Sequence, residues 1–243
     1  MDFSGNMAIR LRSLGRQLGI FPPMVRAFRR LSGSRYEERF DQALLEAIQP
    51  GDTVWDIGAN VGLYTEKFSR QVGTSGHVVA FEPSPSSVQA LRARFHEDPR
   101  VTICPVALGE RPGNATFYLN GSSDGTTDSL VERGSDSVPH QTEVRRGEEF
   151  LQGFPPQVIK IDVEGFELEV LRGLGAVLSS PGLRSVMIEV HFGILSDRGL
   201  PQAPAELTAL LGNAGLAISW ADSSHLIGKR TAKARSVLST QRG

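Results

Sequence analysis

Four acids in this sequence each close a short apolar run: Asp56 after Val54-Trp55, Glu82 after Val78-Val-Ala-Phe81, Asp162 after Val158-Ile-Lys-Ile161, and Glu189 after Val186-Met-Ile188. An acid at the C-terminal end of a buried parallel strand faces the edge where open α/β sheets bind their ligands. The first acid opens Asp56-x-Gly58-x-Asn60-x-Gly62, followed by a helix start at Leu63-Tyr64-Thr65-Glu66-Lys67-Phe68. Strand, small-residue turn and helix together form a nucleotide-binding elbow, in which glycines give a tight turn and close helix packing. The dinucleotide fingerprint puts a pyrophosphate at such a turn. Here Asp56 would repel a pyrophosphate and suit an ammonium. S-adenosylmethionine (SAM) carries that ammonium and no phosphate, so the backbone of Gly58, Ala59, Asn60 and Gly62, with Asp56, is expected to hold its methionine half. The plain alternative is a glycine-rich turn in an ordinary α/β protein.

Glu82 lies 20 residues beyond Gly62 at the end of the next expected strand, the position from which a carboxylate reaches a ribose. The third strand, Val101 to Val106, is expected to run along the adenine, with Ala107 offering backbone to the base. The other acids suit the reacting end. Asp162 is the expected base or hydroxyl-orienting group, with Glu164 beside it and His191 as a second base. Asp162 and Glu164 are also suited to cap the helix that follows. Asp162, Glu164 and Glu189 together would accept Mg²⁺.

These groups need a scaffold of alternating strands and helices. Helices are expected over Tyr36–Ile48, after Gly62, over Ser86–Phe95, over Glu167–Leu178 and over Ala203–Leu211. Leu216–Trp220 and His225–Ile227 read as a closing antiparallel hairpin, Thr116–Leu119 as a short strand and Thr142–Arg146 as an edge strand. Alternation of this kind predicts a parallel sheet covered on both faces. The polar stretch Gly121 to His140 reads as a substrate lid or a flexible loop.

The N-terminal 50 residues stand apart. Arg10, Arg12, Arg16, Arg26, Arg29, Arg30 and Arg35 face a single acid, Asp2, before Glu37. They suit a helical lid, a weak peripheral membrane contact or a site for an acidic substrate, as against plain packing helices with solvated arginines. The expected division is therefore 1–50 as a helical cap and 51–243 as the main domain. The whole chain has 243 residues, 40% hydrophobic and 22% charged, with net charge −1. That balance fits one large α/β domain and argues against a nucleic-acid partner. A lone cysteine, Cys104, excludes an intramolecular disulfide and fits a cytoplasmic, reducing compartment. No apolar run approaches the roughly 18 residues of a membrane span.

Taken together, Asp56-Ile-Gly-Ala-Asn-Val-Gly-Leu-Tyr-Thr65, Phe81-Glu-Pro83, Ala107-Leu-Gly109, Ile188-Glu-Val-His191 and above all Lys160-Ile-Asp-Val-Glu-Gly-Phe-Glu-Leu-Glu-Val-Leu-Arg-Gly173 resemble the FkbM-type SAM-dependent methyltransferases over residues 36 to 228. The resemblance implies a Rossmann-like class I methyltransferase fold, with a seven-stranded, mostly parallel sheet. It also implies O-methylation of a hydroxyl on a natural product, sugar or glycolipid. The chain departs from the family pattern at Arg146-Gly147-Glu148, where members show a Thr-Leu-Asp turn. A non-catalytic SAM-binding module, a nucleic-acid or protein methyltransferase, and an NAD-dependent enzyme are the alternative classes.

Overall fold

The computed structural model describes residues 40–119 and 138–230. The expected lid helices before residue 40, most of the 121–140 loop and the basic tail lie outside the described residues.

The first strand, β1 (Thr53–Ile57), has burial on every residue but its first, because it lies at the centre of a sheet covered on both sides. Side chains alternate between the faces. Trp55 and Ile57 join Val79, Phe81, Ile159 and Ile161 in one core. Val54 joins Phe68, Val78, Val158 and Met187 in the other. Each such fully buried side chain contributes about 1.5–3 kcal/mol. β2 (His77–Phe81) and β3 (Val101–Cys104) extend the sheet on one side of β1, all parallel. On the other side follow β7 (Val158–Ile161) and β8 (Ser185–Glu189), also parallel, then β10 (His225–Arg230) and β9 (Leu216–Trp220), both in antiparallel pairing. The order is β3-β2-β1-β7-β8-β10-β9, seven strands with an antiparallel closing hairpin, as expected.

The helices are α1 (40–47), α2 (Leu63–Gln71), α3 (Pro85–Arg94), α4 (Glu167–Leu174), α5 (Phe192–Asp197) and α6 (Ala203–Asn213). Helix α1 packs Phe40 and Leu44 into the same core as Val54 and Phe68. Residues 40–48 of the expected N-terminal cap thus form part of the main packed unit. Leu168, Leu171 and Leu174 of α4 are buried, as their spacing predicts. That helix stops four residues short of the expected Leu178, because Gly175 turns to φ 48°, ψ −119° and the chain continues as a 3₁₀ turn over Gly175–Val177. Arg146-Gly147-Glu148 opens another 3₁₀ turn, Gly147–Phe150, packed against Leu174 and Trp55.

The middle of the chain differs from expectation. β3 ends at Cys104 rather than Val106, since Pro105 has no N–H to continue the ladder. The chain then leaves the main sheet and builds a second one, β4-β6-β5, from β4 (Ala107–Leu108), β6 (Val138–Arg145) and β5 (Gly113–Leu119). The stretch read as an edge strand is therefore the central strand of a small sheet, and it begins at Val138, inside the region read as loop. Among the described residues no helix is long and apolar enough to cross a membrane.

Candidate active site

The turn after β1 is stitched to β2 by backbone alone. The Gly58 and Ala59 N–H groups both donate to the Phe81 carbonyl, at 3.0 and 3.1 Å. Gly58 sits at φ 81°, and a β-carbon there would overlap the Asp162 carbonyl. Asn60 is held at φ 49°, an uncommon conformation for a residue with a side chain. Its N–H donates to Glu82 Oε2 at 2.7 Å, and the Ser84 N–H donates to Glu82 Oε1 at 2.8 Å. Glu82 thus braces the turn through both carboxylate oxygens. Gly62, at φ 86°, ends the turn and leads into α2.

A cavity of about 910 Å³, open mouth included, lies over this turn. Of the candidate residues from the sequence, Gly58, Asn60, Glu82, Ala107, Asp162 and Glu164 line it. Ala59 and Gly62 do not. Ala59 packs under α3 beside Ala80, Leu91 and Phe95, and Gly62 is the helix cap. Phe117 of the small sheet and Phe166 before α4 supply apolar wall that sequence reasoning missed. Phe117 had no signal beyond its place in a short strand.

Asp56 departs from its expected role. It is fully buried and absent from the cavity wall. Its Oδ2 accepts from Thr65 Oγ1 at 2.6 Å, and Oδ1 lies 3.7 Å from the buried Lys160 Nζ. Alternation sets Asp56 opposite Lys160 on the face that carries α1 and α2, not at the rim. A direct grip on the ammonium is replaced by a buried ion pair beneath the floor. Burial pushes the Asp56 carboxyl above its usual range, against the pull of Lys160 and Thr65. Lys160 also reaches Asp162 Oδ2 at 3.3 Å and lies over the Tyr64 ring at 4.5 Å. Burial works against its charge, but Asp162 and Asp56 outweigh it and raise its pKa.

The second half of the site gathers at the ends of β7 and β8. After Asp162 the backbone turns through Glu164 at φ 52° and Gly165 at φ 96°. Strained residues of this kind are held by their surroundings and cluster at functional sites. Helix α4 then starts with Phe166 as its N-cap and no side-chain cap, so neither Asp162 nor Glu164 serves as one. Glu167 folds back instead: its Oε1 accepts the Gly165 N–H at 2.8 Å and meets His191 Nδ1 at 2.6 Å. Glu167 is fully buried and fixes the ring, leaving Nε2 to face the acids. That nitrogen is 3.4 Å from Glu164 Oε2, 3.9 Å from Asp162 Oδ1 and 4.0 Å from Glu189 Oε1. Burial lowers the His191 pKa, but Glu167, Glu164 and Asp162 outweigh it and push it up to about 9. The imidazole is therefore protonated at neutral pH, not the free base expected of it.

Asp162, Glu164 and His191 each offer a ligand atom, all within 4.8 Å of one another. Glu189, the third metal ligand expected from sequence, is outside this group. It instead faces His225 Nε2 at 3.7 Å. That neighbour holds the Glu189 carboxyl below its usual range against the effect of burial. Sequence reasoning missed His225, its partner Asp222 and Glu167. Only Glu167 carried a signal, its place in the Lys160–Gly173 block.

Comparison with known proteins fits this geometry. Residues 56–216 match the Methyltransferase FkbM domain. The chain is 29% identical over 210 residues to the hexuronic acid methyltransferase AglP of Haloferax volcanii, covering 83% of this chain and 80% of that protein. It is 29% identical over 203 residues to the 31-O-demethyl-FK506 methyltransferase FkbM of Streptomyces tacrolimicus, covering 70% of this chain and 75% of that one. Among solved structures, a putative rRNA methylase from Clostridium thermocellum superposes with a TM-score of 0.51 at 10% identity, covering 82% of this chain and 96% of that one, a likeness of fold alone. A cavity braced by Glu82, an acid-rich edge facing it and a family match over most of the main sheet agree: the chain belongs to the FkbM family of SAM-dependent methyltransferases.

Proposed function

We infer that the protein transfers the SAM methyl group to a hydroxyl oxygen of a small-molecule natural product, sugar or glycolipid. The observation that carries this reading is the position of Asp162. It lines the cofactor cavity and also lies 3.9 Å from His191 Nε2, so it belongs to both halves of the site. The sulfonium is already an activated donor. The protein's work is to hold an oxygen in line with it and to accept the proton released as the C–O bond forms. With His191 protonated, Asp162 is the group placed to take that proton, and the imidazolium offsets the charge of the carboxylates around it. The turn backbone holds the methionine half of SAM, and Glu82 holds the ribose. The name of one relative, a 31-O-demethyl-FK506 methyltransferase, specifies oxygen as its acceptor atom. An edge of carboxylates also suits hydrogen-bond donors such as hydroxyls.

Label transfer from radiolabelled SAM to a panel of hydroxyl acceptors tests this. Asp162→Asn should lower kcat on the order of 10²–10⁴-fold, while S-adenosylhomocysteine affinity, read by calorimetry, stays within about tenfold. Full turnover in that variant would remove Asp162 from the reaction. Loss of binding would move it wholly into the cofactor site.

A second reading adds a divalent cation, favoured by the convergence of Asp162, Glu164 and His191. The donor set fits once the ion displaces the Nε2 proton of His191: two carboxylates and an imidazole whose other nitrogen is tied to a buried carboxylate. One nitrogen ligand suits Mn²⁺ or a similar ion better than Mg²⁺, which prefers oxygen. Such an ion would lower the pKa of a bound hydroxyl.

A further inference from the structure

Strand β8 is buried along its length until Glu189, whose side chain is 30% exposed at the ligand-binding edge. Two imidazoles face its two oxygens, His191 Nε2 at 4.0 Å from Oε1 and His225 Nε2 at 3.7 Å from Oε2. His225 opens β10 in the closing hairpin and is fixed from every side. Its Nδ1 meets Asp222 Oδ2 at 2.6 Å. The other oxygen of Asp222 accepts the Ser224 and His225 N–H groups at 2.7 and 3.0 Å. The ring stacks on Phe40, the first described residue of α1, with centroids 3.9 Å apart. The hairpin does not need this for closure. Its ladder already pairs Leu226 with Trp220, and the Ala221 N–H donates to the His225 carbonyl. What the arrangement does fix is the direction of the Glu189 carboxylate.

The geometry points to Glu189 as the group that binds the acceptor molecule, with His225, backed by Asp222, as the positioning residue that aims it at a neutral polyol. This rests on the O-methyl-transfer reading above. Glu189 lies one strand further from the cofactor than Asp162, since Ile161 pairs with Ile188 across β7 and β8. One strand spacing is about 4.8 Å. Asp162 and Glu164 line the cofactor cavity and Glu189 does not. An acceptor that offers one hydroxyl to Asp162 therefore brings a neighbouring hydroxyl to Glu189. A carboxylate only accepts hydrogen bonds, which matches a hydroxyl and rejects another carboxylate. The surrounding charges work the same way: Asp162, Glu164, Glu167, Glu189 and Asp222 outnumber Lys160, His191 and His225. A uronate would enter against that excess of negative charge, and a neutral sugar would not.

The test measures label transfer from radiolabelled SAM to methyl hexopyranosides and to the matching methyl hexopyranosiduronates. The wild-type protein should favour the neutral glycosides by at least about tenfold in kcat/KM. Glu189→Gln should raise KM for the glycoside about tenfold, with S-adenosylhomocysteine affinity unchanged. Two replacements of His225 separate aiming from packing. His225→Gln keeps an N–H near the Nε2 position and should retain most of the wild-type KM. His225→Asn reaches only toward Asp222 and should raise KM several-fold, about as much as Glu189→Gln. Equal KM values in the two His225 variants, an unchanged KM in Glu189→Gln, or preferred transfer to the uronosides would each overturn the inference. A wild-type protein that binds S-adenosylhomocysteine yet labels no glycoside would overturn the sugar-hydroxyl reading itself, and this inference with it. Labelled glycosides with an indifferent Glu189→Gln would overturn the inference alone.

Discussion

The two halves of the site are built from different materials. The cofactor half is mostly backbone. Its turn is fixed by N–H groups donated to Phe81 and Glu82, and by glycines at positive φ with no room for a side chain. The acceptor half is mostly side chains. Its acids and imidazoles fix one another at 2.6 to 4.0 Å across β7, β8 and the hairpin. A backbone device is rigid and tolerates no change of residue. A charge network tolerates isosteric change and answers to protons and cations. Substitutions in the first half should abolish binding, and those in the second should leave binding and alter turnover.

Gly58→Ala is the strongest way to break that contrast. The φ of 81° alone costs a residue with a β-carbon about 1–2 kcal/mol, and overlap with the Asp162 carbonyl adds to it. S-adenosylhomocysteine affinity should fall by at least on the order of 100-fold, read by calorimetry. A Gly58→Ala variant that binds normally would show that the turn yields, and that the cofactor half is no more rigid than the other. Glu82→Ala comes next. It removes the acceptor of the Asn60 and Ser84 N–H groups, each a charge-assisted bond worth about 1.5–3 kcal/mol. Affinity should fall between about tenfold and 100-fold. If it fell no further than in Asp162→Asn, the division between the halves would not hold.

The same contrast explains what was legible in the sequence. A turn made of backbone needs glycine at fixed places, so Asp56 to Gly62 announces itself in residue types and spacing. Glu82 follows from the strand after it. The acceptor half is assembled from β7, β8 and a hairpin more than 60 residues later by the measure of Asp162 and His225. Single acids and histidines there carry no local pattern, and their partners are set by sheet order. Asp56 shows the limit from the other side. Its type and place suggested contact with the ammonium, but strand alternation turns the side chain to Lys160 and Thr65 under the floor. The small sheet was half legible. Two of its strands were read in part, over Thr116–Leu119 and Thr142–Arg146, and β4 was not, while the pairing that makes β6 central joins segments well separated along the chain.

Cations sharpen the acceptor half. Mn²⁺ titrated by calorimetry should bind the wild-type protein, and His191→Ala should weaken it by about tenfold to 100-fold. Glu189→Gln should change it little, since Glu189 is outside the set formed by Asp162, Glu164 and His191. Equal losses in the two variants would merge the cation set with the acceptor-binding acid.

The smallest effect is the pH dependence of stability, and of the two halves it belongs to the acceptor half. Burial lowers the His225 pKa, but Asp222 and Glu189 outweigh it and push it up to about 9. In the unfolded chain the value returns to about 6.5. A group whose folded pKa is raised stabilises fully below its unfolded pKa and loses that contribution as pH rises through the folded one. His191, raised by Glu167, Glu164 and Asp162, acts with the same sign. Stability should therefore fall between about pH 6.5 and 9.5, by a few degrees in Tm. His225→Gln should flatten part of that slope, because its amide does not titrate. Gly58, Asn60 and the other backbone elements of the turn add nothing to it. A slope unaltered by His225→Gln would mean that the hairpin imidazole is not held protonated by Asp222 and Glu189, and the acceptor half would lose the coupling that sets it apart.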